Sequence, residues 1–214
     1  MTYLNFPVFP YNIKPLNTIQ QTISHDRKFI GKQWQHEYYF YLKSEQITMN
    51  LLFNFETYEE LNTLKQFFFN TKGKVGKFWL PTWNNDLIPL LDAYQDTNSI
   101  IVEQKYLDVF KEIHRPMVLY FPNHNFVTFA TDIVDTYNSQ LGHTVNQITL
   151  NDNLPFSLQK SGCTPIQFLF FGRFNTDIIS FEFIDLFRGQ CSLSFKEATR
   201  IDYKKYLPDL IYFE

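Results

Sequence analysis

The sequence predicts a mainly β protein with one well-defined helix, built as a β-sandwich or distorted barrel whose N-terminal half is α+β. Three observations point there. Of 214 residues, 24 are Phe, 13 are Tyr and 3 are Trp, and aromatic side chains favour pleated, half-buried surfaces. Residues 34–43 alternate apolar and polar with period two, the signature of a strand. Residues 57–72 are the one stretch whose apolar positions recur at steps of three and four.

Composition excludes several classes. A chain of this length is one sizeable domain or two small ones at roughly 100–200 residues per domain. With 44% hydrophobic and 19% charged residues it is neither disordered nor fibrous, and 7 Gly with 10 Pro rule out collagen-like and linker-rich chains. Nineteen basic against 22 acidic side chains leave a net charge of −3, a poor match for phosphate backbones, so no nucleic-acid partner is expected. The densest apolar run, 168–171, falls far short of the roughly 18 residues of a membrane span, and no membrane partner is expected. The first ten residues lack a basic segment followed by an apolar one, so the expected site of synthesis is a cytosol.

Along the chain, Pro7, Pro10 and Pro15 make the first fifteen residues an extended lead-in or edge strand. In 34–43, Trp34, Tyr38, Phe40 and Leu42 share one face and Gln35, Glu37, Tyr39, Tyr41 and Lys43 the other. Residues 47–55 suit its hairpin partner across a turn at 44–46. In the helix, Tyr58, Leu61, Leu64, Phe67 and Phe68 form the stripe, Thr57 and Glu60 have capping-box spacing, and Gly73 suits a left-handed stop. Further strands are expected at 77–80, 99–103, 117–121, 126–134, 145–150, 166–174, 178–185 and 191–196. Turn residues lie at 122–123, 138–139, 151–153, 161–162 and 188–189. In the last strand Cys191, Leu193 and Phe195 point inward and Ser192, Ser194 and Lys196 outward. A polar stretch at 135–144 is the candidate boundary between residues 1–135, a β module carrying the helix, and residues 136–214, C-terminal strands.

No catalytic constellation emerges. His25, His36, His114, His124 and His143 are scattered, none at metal-ligand spacing. Cys163 and Cys191 read as small core residues in a reducing compartment. Gly73-Lys74-Val75-Gly76 lacks phosphate-loop spacing and follows a helix instead of preceding one. Glu182 with Asp86 or Glu37 is the one carboxylate pairing a hydrolase would draw on, and nothing in the spacing selects it. The expectation is therefore no catalytic residue, no metal, no cofactor and no enzymatic activity.

What stands out is Phe78-Trp79-Leu80-Pro81-Thr82-Trp83, followed by Asn84-Asn85-Asp86-Leu87. Phe78 and Leu80 point opposite to Trp79 in an extended chain. Either both faces are buried in a two-layer fold, or Trp79 or Trp83 meets another chain, where Trp and Phe are enriched. The candidate interface residues are Phe78, Trp79, Trp83, Trp34 and Tyr39. On a carbohydrate-binding β-sandwich, the alternative reading, Trp79, Trp83 or Tyr39 would stack on sugar faces.

The order of elements (a strand at 34–42, the capped helix, the basic Gly-containing turn at 72–77, then the Phe-Trp-Leu-Pro-Thr-Trp run with Asp86-Leu87) resembles the N-terminal module of bacteriophage tail-tip proteins of the distal tail protein type. The C-terminal end is similar to the closing strands of the same group: residues 168–174, 177–183 and 191–197, with Phe195 and Glu197 matching its final Phe-x-Glu tripeptide. The resemblance implies a structural protein of a phage or prophage. Copies would form a ring, commonly a hexamer, joining the tail tube to the tip or baseplate. Other tail proteins are then the partners, a bound carbohydrate is allowed, and the location is the virion tail after synthesis in a bacterial cytoplasm. Closed rings bury heterologous patches, and surplus aromatics would serve them.

Overall fold

A computed structural model describes residues 1–10, 12–13, 15–16, 20–24, 46–103, 116–160, 165–185, 188–198 and 204–207. The strand expected at 34–43, and with it Trp34 and Tyr39, lies outside the described residues, as does Cys163. The chain is mainly β with antiparallel pairing in its named strands, and among the described residues one helix exceeds a single turn. The sheet is open and no barrel closes, so of the two expected architectures the sandwich-like one fits.

The chain divides into two compact units: Met1–Tyr11 with Trp79–Phe170 and Asp209–Glu214, and Asn12–Phe78 with Phe171–Pro208. The boundary expected at 135/136 is corrected by this division. That polar stretch is the tip of a hairpin, in which a strand at Phe126–Asn138 pairs with one at His143–Leu150 down to Asn138 opposite His143. Polarity there reflects a wet ribbon end, where the Asn138 side chain accepts from the backbone of Gln140 and Leu141, and Gly142 takes the left-handed conformation (φ 73°).

In the first unit, β1 (Thr2–Tyr3) and β2 (Phe6–Pro7) make a hairpin whose central residues, Leu4 and Asn5, both have positive φ, as a tight primed turn requires. The sheet runs β10–β7–β8–β9–β6, with β6 Ser99–Val102, β7 Val118–Phe121, β8 Phe126–Asn138, β9 His143–Leu150 and the first half of β10, Gln167–Phe174. Its core holds Ile100, Val102, Leu119, Phe121, Ile133, Ile148, Leu150 and Phe168.

In the second unit, the sheet runs β3 (Gln20–Ser24), β4 (Gln46–Phe55), β12 (Gly189–Glu197) and the second half of β10, with β11 (Glu182–Phe183) also against β12. Helix α1 (Tyr58–Thr71) covers its inner face. Both halves of the capping box form: Thr57 Oγ1 accepts from the Glu60 amide at 3.3 Å, and Glu60 Oε2 accepts from the Thr57 amide at 3.4 Å. Leu61, Leu64 and Phe68 are buried as expected, but Tyr58, in the first turn, is exposed. The left-handed stop is Lys72 (φ 55°), whose amide reaches Phe69 O, with Gly73 (φ 57°) reaching Phe68 O. A Cβ on Gly73 would lie 2.8 Å from Asp177 Oδ1, so close approach as well as φ demands glycine there.

Aromatic rings fill the space under the helix. Phe174 sits 4.8 Å from both Phe68 and Phe78 and 5.2 Å from Phe195, at tilted or edge-on angles. β12 alternates as expected, with Cys191, Leu193 and Phe195 buried, and burial pushes the Cys191 thiol up to about 12. Of the strand expected at 178–185 only Glu182–Phe183 forms. Thr176 exchanges bonds with the Ile178 backbone in a turn that diverts the chain from the sheet.

Thr57→Ala is expected to cost about 1 kcal/mol in urea unfolding with an unchanged m-value. Phe174→Ala is expected to cost about 3–5 kcal/mol, because four rings lose a common neighbour.

Candidate functional site

The Trp-rich run is the feature the sequence singled out. Phe78 and Trp79 are both fully buried, in β5 (Phe78–Pro81), every residue of which is buried. Both faces of the strand are covered at Phe78 and Trp79, and neither of these side chains reaches the surface of the chain. Within the first unit, Trp79 Nε1 donates to Tyr3 O at 2.9 Å, its carbonyl accepts from the Phe9 amide at 2.8 Å, and the Tyr3 ring lies 5.9 Å from the indole. The N-terminal hairpin is the cover that the sequence could not supply for this face. Trp83 is half-buried with positive φ, its indole edge-on to Phe9 at 5.5 Å.

β5 pairs with β10, and residues 82–87 continue along β10 beyond the end of β5 in the same unit. Thr82 N donates to Phe168 O, and Asp86 N and Leu87 N donate to Ile166 O. The Asn85 side chain accepts from Ile166 N at 3.1 Å, and Asp86 Oδ2 accepts from Phe168 N at 2.8 Å and from the Thr82 hydroxyl. Two side chains thus replace the carbonyls that a longer β5 would supply. Burial is the main effect on Asp86: it pushes the carboxyl up to about 6, against the opposing pull of the Thr82 and Phe168 hydrogen bonds.

Of the three carboxylates weighed for hydrolysis, the two that are described have local tasks. Asp86 closes the β10 edge, Glu182 is exposed and accepts from Gln190 Nε2 at 2.6 Å, and Glu37 lies outside the described residues. Among the described residues no group of three His, Cys, Asp or Glu side chains converges on a metal-sized site.

The exposed apolar side chains lie elsewhere, most of them in the second unit: Phe69, Val75, Ile178, Phe183 and Ile184, each between 59% and 75% exposed. They sit on hydrogen-bonded supports. Lys74 N donates to Asp177 Oδ1 at 2.9 Å and Arg173 Nη1 to Lys74 O at 3.0 Å, which sets the loops bearing Val75 and Ile178 side by side. Arg188 is held to Asp185 at 2.6 Å beneath Ile184 in the turn after β11. Sequence reasoning missed Ile178 and Phe183 because 178–185 reads as one continuous strand. The turn-forming Asn175-Thr176 just before it is the signal that breaks that pattern.

Because the folded state holds the Asp86 proton more tightly than the unfolded chain, its contribution to stability is greatest below about pH 4 and is lost as pH rises through about 6. Asp86→Asn, which keeps the acceptor for Phe168 and stays neutral, is expected to flatten the stability profile between pH 4 and 7 and to melt higher than wild type at pH 8. Identical pH profiles for the two proteins would count against a buried, proton-holding Asp86.

Comparison of the sequence with known protein families and with curated proteins finds no match.

Proposed function

We propose that the chain is a non-enzymatic structural component that works by assembling with copies of itself and with neighbouring proteins, as a ring-forming tail-tip protein of the distal tail type would. The observation that carries this reading is the set of large exposed apolar side chains of the second unit: Phe69 on α1, Phe183 on β11, and Val75, Ile178 and Ile184 on the loops beside them in sequence. Scattered exposed apolar residues are ordinary, but several in one unit, three of them on hydrogen-bonded turns, have the character of surface awaiting a partner. The resemblance of 72–87 and 168–197 to distal tail proteins is a separate support from the residues themselves. In this reading Phe78 and Trp79 build the subunit, and the seam is this apolar surface instead.

The test is sedimentation of the purified chain over a concentration series, beside the double variant Ile178→Lys, Ile184→Lys. The wild type is expected to form a closed oligomer, and the variant to stay monomeric with an unchanged circular dichroism spectrum, since both positions are exposed. A wild type that stays monomeric at its highest soluble concentration, with and without tail-tube protein, would overturn the proposal.

A further inference from the structure

The two units carry opposite charge. The unit made of Met1–Tyr11, Trp79–Phe170 and Asp209–Glu214 has four basic and eleven acidic side chains, a net of −7. The unit made of Asn12–Phe78 and Phe171–Pro208 has fifteen basic and eleven acidic ones, a net of +4. The mild overall charge of −3 conceals this division.

The sheet of each unit also has an outward face that carries two charges of the unit's own sign. In the basic unit, Arg173 on β10 stands directly opposite Lys196 on β12, and Lys196 opposite Thr48 on β4. All three point away from the core that holds Phe174 and Phe195. Like charges directly opposed across a ladder repel, so negative charge brought to this face is favourable. The same face continues through Ser194, Asn50, Ser192 and Leu52. Next to Arg173 along β10, Phe171 is fully buried, with Lys77 Nζ 5.9 Å from its ring and 4.4 Å from that of Tyr206, so the open face ends at Arg173. Among the described residues Asp177 faces Lys74 at 3.8 Å, and Glu182 is held by Gln190 at the far end of the face.

In the acidic unit, the outward face of β8–β9–β6 presents Asp132, Val134, Thr149, Gln147, Ser99 and Ile101 in register, with Glu103 just past the end of β6. Asp132 and Glu103 are exposed, and Lys160 is the one cation among the described residues of this unit. Both faces are flat ladders of Ser, Thr, Asn and Gln with a single exposed aliphatic residue, Leu52 on one and Val134 on the other. They differ in the sign of the charges at their ends.

We infer that the Arg173–Lys196 face of one copy receives the Asp132–Glu103 face of a second copy, head to tail. The inference rests on the self-assembly reading above and adds a charged contact to the apolar surface proposed there. A contact between two different faces is heterologous, so repeating it either closes a ring or extends a filament, and complementary charge fixes its direction.

A charge-swap experiment tests it. Arg173→Glu with Lys196→Glu makes one variant, and Asp132→Lys with Glu103→Lys the other, each checked for wild-type circular dichroism and cooperative melting. Each variant alone is expected to associate at least about tenfold more weakly than wild type in sedimentation, and an equimolar mixture to recover association, because each supplies the face the other lacks. Raising salt on the wild type, which needs no variant, is expected to weaken association as exposed charges are screened. If the wild type assembles while the variants assemble equally well, or the mixture recovers nothing, or salt has no effect, this contact is overturned and self-assembly through other surfaces stands. A wild type that never assembles overturns both.

Discussion

The backbone of β10 must be satisfied along both edges, and much of the first unit is arranged around that need. Its first half pairs with β7 through Gln167, Phe168 and Leu169, and β5 also pairs with β10. Beyond the end of β5, at Pro81, the groups at Ile166 and Phe168 still need partners. A short segment that contains a left-handed Trp83 supplies them with three amides and two side chains, Asn85 and Asp86. An unmade hydrogen bond on a buried amide costs about 1–3 kcal/mol, which is the gain set against burying the Asp86 carboxyl. Asn84-Asn85-Asp86 looks like an ordinary turn in the sequence, yet its side chains complete the sheet.

Element type was largely legible. The period-two runs at 47–55 and 191–196, the capped helix and the turn at 138–139 all fold as their local chemistry dictates, because each is determined within a few residues. What could not be read depends on partners distant in the chain. The burial of Trp79 requires Tyr3 and Phe9, some 70 residues away, and the exposure of Ile178 follows from a Thr176 turn that competes with strand pairing. The break at 135–144 was misread for a similar reason: polarity marks a ribbon tip as readily as a linker, and the pairing of Asn138 with His143 decides between them.

The aromatic excess finds two destinations. Most of the described rings are buried or half-buried, and the Phe68–Phe78–Phe174–Phe195 group shows how: edge-on and tilted contacts let bulky side chains fill a space that aliphatic residues would share among more positions. The remainder, Phe69, Phe183, Tyr94 and Tyr137 among them, is left in solvent. Counting rings therefore overstates the surface available to partners, and the discriminating quantity is which rings the fold fails to cover.

The threading of the chain through the two units has a consequence for biogenesis. Residues 1–11 belong with residues 79–170, whereas residues 12–78 belong with 171–208. On a ribosome the β1–β2 hairpin emerges before Trp79, against which it seats, and β4 waits for β12, its neighbour across eight paired positions, until residues 189–197 are made. Neither unit can mature vectorially. Such long-range closure slows folding and leaves sheet edges bare during synthesis, so a nascent chain of this kind would lean on holding chaperones.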